Sequence, residues 1–140
     1  MADINLGAKD GAPESPLHEA AWRGDLEEIR RLVQSGADFN WRDSIGESAL
    51  FGAAAWGGTE AVNLLLVLGA QPNLQETDGY TPLHWAASNG NIETIQALLN
   101  GGADPTLADT RGRKPADAAH ESGKGGHVAF LKRLPGAGRS

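Results

Sequence analysis

The chain has 140 residues, 40% of them apolar, which is enough for one domain with a packed core. It contains no cysteine, which excludes a disulfide framework and a cysteine-ligated zinc site. The net charge of −6 is uneven: residues 1–42 carry net −3, residues 43–108 carry net −7 with no Lys or Arg, and residues 109–140 carry net +4. An acidic body cannot replace phosphate counterions, so general nucleic-acid binding is not expected.

One phrase recurs every 33 residues. Gly24, Gly57, Gly90 and Gly123 keep this interval, as do Ala20, Ala53, Ala86 and Ala119. A fixed period of this length predicts stacked copies of one supersecondary unit. The copies fall at about 10–42, 43–75, 76–108 and 109–134, with loose tails expected at 1–9 and 135–140.

In copy one, Ser15-Pro16 opens a first helix carrying Leu17, Ala20 and Ala21, and Glu27 falls in the first turn of a second helix. Ser is a good N-cap, and Pro is tolerated at the first helical position. In copy two, Ser48 is the expected cap of a helix with Leu50, Gly52, Ala53 and Ala54, and Leu65 lies on the apolar face of the next. Copy three is the clearest. Asp78-Gly79-Tyr80 signals a turn, Thr81-Pro82 starts a helix, and Gly90 is placed at its C′ end. A second helix follows with Ile92, Ile95, Leu98 and Leu99 on one side. Glu60 and Glu93 match Glu27, each suiting the positive end of its helix dipole. Copy four is the most irregular. Lys114 and Ala116 replace the hydroxyl cap and the Leu, and Gly125-Gly126 fall where its second helix begins. No copy has a second apolar layer of its own, so removing residues 109–140 is expected to expose the Leu98/Leu99 layer.

Thr81-Pro82-Leu83-His84-Trp85-Ala86-Ala87, followed by Gly90 and by Leu98-Leu99 with Gly102-Ala103-Asp104, resembles the ankyrin-repeat signature. Ser15-Pro16-Leu17-His18-Glu19-Ala20-Ala21 does so in copy one. The resemblance implies an all-α ankyrin-repeat solenoid of helix-turn-helix units joined by short β-hairpin-like turns. It also implies a non-enzymatic protein-binding module. A narrower variant is an inhibitor that occludes an enzyme such as a kinase; another class is a structural spacer or a fragment of a larger scaffold. In such a family, His18 and His84 tie a helix start to neighbouring backbone. At about 8–10 Å per packed helix they lie too far apart to share a metal, and Phe51 and Asp117 stand at their position in copies two and four. No nucleophile–base set and no phosphate loop is visible, so no catalytic residue, cofactor or metal is expected.

The same resemblance places partner contacts at the turn tips and at the exposed ends of the first helices. These positions are Trp22, Arg23, Ser44, Ile45, Glu47, Trp56, Thr77, Asp78, Tyr80, Ser88, Asn89, Arg111 and Arg113. Trp, Tyr and Arg are frequent interface anchors, and Trp22, Trp56 and Tyr80 are expected on one concave strip. The acidic tips Asp43, Glu47, Glu76 and Asp78 favour a basic segment of a partner protein. Trp85 and Trp56 are both candidates to cover the gap left by Gly52. Trp41 is expected either at the surface or against Leu74. Asn40 and Asn73 read as turn-stabilising residues; the segment around Asn40 also looks like one that asparaginyl hydroxylases modify in some ankyrin proteins. The longest apolar run, 64–68, is too short to cross a bilayer, and the first residues do not look like a secretory leader. A monomeric cytoplasmic protein, with the nucleus as a second compartment, is the expectation.

Overall fold

The computed structural model describes residues 15–134. The expected tails, 1–9 and 135–140, lie outside them. Among the described residues eight helices follow in order: α1 Pro16–Arg23, α2 Leu26–Gln34, α3 Ala49–Ala55, α4 Thr59–Leu68, α5 Pro82–Asn89, α6 Ile92–Asn100, α7 Pro115–Glu121 and α8 Gly125–Lys132. They form four pairs, one per copy. The first helices stack α1 on α3 on α5 on α7, and the second helices stack α2 on α4 on α6. The described residues contain no β-strand, so the hairpin-like connections are hydrogen-bonded turns.

Small residues on the first helices make close stacking feasible. Ala20, Ala53, Ala86 and Ala119, one per copy, are all fully buried. Between the layers run Leu17, Leu50 and Leu83, with Ile29, Leu65, Ile95, Leu98 and Leu131 from the second helices. The core is thus continuous through the stack, as expected for units unable to bury their own faces.

The turns also hold the copies together. The Thr77 amide donates to the Ile45 carbonyl (2.9 Å) and the Thr110 amide to that of Asp78 (3.0 Å). Below them, the Gln71 amide donates to Asn40 Oδ1 and the Asp104 amide to Asn73 Oδ1, both at 2.8 Å. Asn40 and Asn73 therefore tie each turn to the next copy. At the tip, Gly79 has φ +83°, and a Cβ there would fall 2.9 Å from the Asp109 Cα. Both its backbone angle and its neighbour demand glycine.

Two expectations about helix ends need correction. Gly90 does not take the left-handed conformation of a C′ glycine: its φ is −87°. A Cβ at Gly90 would lie 2.9 Å from the Ala54 and Ala86 carbonyl oxygens. Close approach of neighbouring backbones, not chirality, selects this glycine. Gly90→Ala is therefore expected to destabilise by about 1–3 kcal/mol through overpacking, measured by urea denaturation, although alanine normally favours a helix.

Ser48 sits at the N-cap position of α3 but caps nothing. Its Oγ is buried without a hydrogen-bond partner. In copies one and three a ring nitrogen of His18 or His84 meets the cap hydroxyl at 2.8 Å, whereas Phe51 offers none. Copy four solves the same problem differently. The Lys114 amide donates to Asp117 Oδ2 (2.9 Å), as the Thr81 amide donates to His84 Nδ1 (3.1 Å). Asp117 thus takes one role of the histidine. Despite its two glycines, α8 forms, with Leu131 1% exposed.

Candidate functional site

The face formed by the turns and the first helices carries two grooves. The larger, about 370 Å³, centres on copy two. Its walls are Trp22 from the last turn of α1, Ile45 from the turn tip, Phe51 and Gly52 from α3, and Trp85 from α5. Trp22 and Ile45 are 55% and 50% exposed, two of the four large apolar side chains at the described surface that are so open. Asp43, Glu47 and the largely buried Glu76 add carboxyl groups to its lining.

The smaller groove, about 240 Å³, lies between copies three and four. It is lined by Tyr80, His84, Trp85, Ser88 and Asn89 on one side and by Arg113, Glu121 and Ser122 on the other. Arg113 dominates it. Its Nε donates to Asp109 Oδ2 (2.9 Å), its Nη1 to Glu121 Oε1 and its Nη2 to the Tyr80 hydroxyl, both at 2.5 Å. Its guanidinium carbon stands 5.6 Å from the Tyr80 ring centre. Burial pushes the Asp109 carboxyl up, but the amides of Arg113 and Arg111 and the Arg113 guanidinium outweigh it and hold it below the usual range.

The structure divides the expected contact residues. Trp22, Ile45 and Glu47 meet in the larger groove; Tyr80, Ser88, Asn89 and Arg113 meet in the smaller. Trp85, half-buried and edge-on to Tyr80 with ring centres 5.8 Å apart, lines both. Arg23, Ser44, Thr77, Asp78 and Arg111 are exposed around them.

Trp56 does not belong to the aromatic strip. It is the C-cap residue of α3, and its ring folds over Gly24 and Gly58 in the loops between paired helices. Its Nε1 donates to the Ala21 carbonyl (3.1 Å), strapping copy two to copy one. It lines a separate depression with Leu26 and Glu60. Nor do Trp56 and Trp85 fill the gap at Gly52: a Cβ there would fall 3.2 Å from Trp22 Cε3. The preceding copy, not the following one, covers it. Trp41 is half-buried and packs edge-on to His18, with ring centres 5.6 Å apart.

The histidines are structural. His18 Nε2 lies 2.7 Å from the Glu47 carbonyl oxygen and His84 Nε2 lies 2.8 Å from that of Arg113, each linking a helix start to the turn of the next copy. Burial, its largest influence, pushes His84 below the ordinary imidazole value despite the Arg113 carbonyl, which favours the proton. The folded state therefore prefers neutral His84 and the unfolded chain binds the proton more readily. The stabilisation is complete above about pH 6.5, the unfolded value, and is lost as pH falls below it. Urea melts from pH 7.5 down to 5 should show a falling midpoint, and His84→Phe, mimicking Phe51, should flatten the decline. One proton limits the slope from His84 to about 1.4 kcal/mol per pH unit.

No group of three or more His, Asp or Glu among the described residues is placed to hold a metal ion, and none of the described helices is long and apolar enough to cross a membrane.

Paired antiparallel helices, stacked at a 33-residue period with turns ordered along one edge, define a helical repeat protein built to display a surface. The family model for ankyrin repeats (3 copies) matches residues 1–76 and, in a second overlapping match, 50–137. The chain belongs to the ankyrin-repeat family, whose repeats generally mediate protein–protein interaction and are typically non-enzymatic. Comparison with curated proteins found no matching relative.

Proposed function

We propose that this chain is a non-enzymatic binding module whose larger groove, over copy two, receives a segment of a partner protein. The observation that carries the reading is the pairing of Trp22 and Ile45, both half-exposed, in one groove with an acidic lining. Exposed aromatic and branched side chains in a concave site give up water on binding, and desolvated aromatics make effective anchors. The stack fixes the groove beforehand, so little ordering entropy is lost. No Lys or Arg occurs between residues 43 and 108, so the field around the groove favours a basic segment. A cytoplasmic monomer belongs to the same reading.

Affinity capture from the source cells, read by mass spectrometry, tests it. The wild-type chain should retain a partner that the Trp22→Ala/Ile45→Ala double variant loses and Trp56→Phe keeps, with melting temperatures recorded for all three. Equal capture by the double variant would remove the groove from the interface.

A further inference from the structure

The two grooves are built on one turn device, and its copies differ in a telling way. Asp43, Glu76 and Asp109 are 33 residues apart. Each uses one carboxylate oxygen to hold its own turn. Asp43 Oδ1 accepts from the amides of Ile45 and Glu47, Glu76 Oε1 from those of Asp78 and Tyr80, and Asp109 Oδ1 from those of Arg111 and Arg113. The second oxygen is where they diverge. Asp109 Oδ2 accepts from the guanidinium of Arg113, which also stands over the Tyr80 ring. The positions equivalent to Arg113 are Tyr80 in copy three and Glu47 in copy two, so neither earlier turn brings its own guanidinium.

Asp43 Oδ2 and Glu76 Oε2 accept no hydrogen bond among the described residues, and neither is a buried atom without a partner. Both oxygens therefore keep some contact with solvent, Asp43 as a half-buried residue and Glu76 as a largely buried one, 7% exposed. Both residues line the larger groove beside Trp22, and no described Lys or Arg lines it. Arg42, next in sequence, is directed elsewhere: its guanidinium donates to the carbonyl oxygens of Gly46 and Gln75.

We infer that the larger groove takes an arginine side chain of the partner, with its N–H groups on Asp43 Oδ2 and Glu76 Oε2 and its plane against the Trp22 ring. The chain satisfies one of its turn carboxylates in this manner with Arg113; the partner does so for the other two. Guanidinium suits the site better than ammonium because it is planar, stacks on an aromatic face and presents several donors to separate oxygens. This inference rests on the reading of the groove as the partner surface.

Arrayed pools of short peptides test it. Each pool has random flanks around one fixed central residue: Arg, Lys, citrulline or Gln. Binding to the full chain is read by fluorescence polarisation. Arginine pools should bind best. With a selected arginine peptide, Asp43→Asn and Glu76→Gln should each raise Kd about tenfold or more, the scale of a lost charge-assisted contact. Both variants keep a carbonyl oxygen for the turn amides, and unchanged melting temperatures would confirm intact turns. Lysine or citrulline pools binding as well as arginine pools would overturn the inference. So would an arginine peptide indifferent to both variants, or no pool binding above background. If the favoured pools lack arginine but Trp22→Ala abolishes their binding, the arginine assignment fails and the surface stands. If Trp22→Ala leaves all binding intact, the surface reading fails as well.

Discussion

Leu65→Ala and Leu98→Ala should each lower the unfolding free energy by about 2–5 kcal/mol, read from urea or guanidinium melts. Both side chains are 0% exposed, one on α4 and one on α6. Each fills space between helices that stack on their counterparts in neighbouring copies, so truncation leaves a cavity that rigid neighbours close only in part. Val67→Ala is the internal control. It lies on α4 two residues after Leu65 yet is 83% exposed, so its loss should stay within about 0.5 kcal/mol. A ranking in which Val67 matters as much as Leu65 would mean that α4 is rotated.

Removal of residues 109–140 should have the larger effect on the whole stack. The sequence reading places the newly exposed layer at Leu98 and Leu99. The structure instead puts the main contact of the fourth copy on α5, against which α7 packs. His84 would lose the Arg113 carbonyl and Tyr80 the Arg113 guanidinium. The Ala87 carbonyl would lose its partner in His127 (2.8 Å). Burial of Leu131 alone is worth about 1.5–3 kcal/mol, and the α5–α7 interface adds to it, so the truncated chain should lose more than about 3 kcal/mol. Its open apolar face should also cause concentration-dependent association, visible by light scattering. A truncated chain with the same melting temperature and a single monomeric species would argue against a four-unit stack.

The repeat, the helix pairs and the buried faces were legible because they depend on period and polarity. Leu17, Leu50 and Leu83 stand 33 apart and are all 1% exposed or less. The role of His18 and His84 is legible through the ankyrin-repeat resemblance, which implies a tie from a helix start to neighbouring backbone. What escaped depends on where a side chain turns at a helix end. Trp22 and Trp56 both close a first helix, yet the former covers Gly52 and the latter folds back over Gly24 and Gly58. The two are 34 residues apart, so Trp56 matches Arg23 and not Trp22; this one-residue offset, about 100° around a helix, separates their directions. Gly90 was misjudged because helix-end glycines usually answer to chirality, whereas the Ala54 carbonyl crowds this one. The turn carboxylates Asp43, Glu76 and Asp109 do carry a signal, their 33-residue spacing, but acidity alone marks Asp43 and Glu76 only as charges favouring a basic partner and does not single out Asp109. Their common hydrogen-bonding role becomes visible only with the turns folded.

The groove as the partner surface is tested most directly by binding kinetics of a captured partner on immobilised chain. Trp22→Ala should speed dissociation by about tenfold or more, as loss of a central anchor does, while Trp56→Phe, altering only the strap between copies one and two, should leave both rates unchanged. Unchanged dissociation from Trp22→Ala, at unchanged melting temperature, would contradict the account and place the interface elsewhere on the stack.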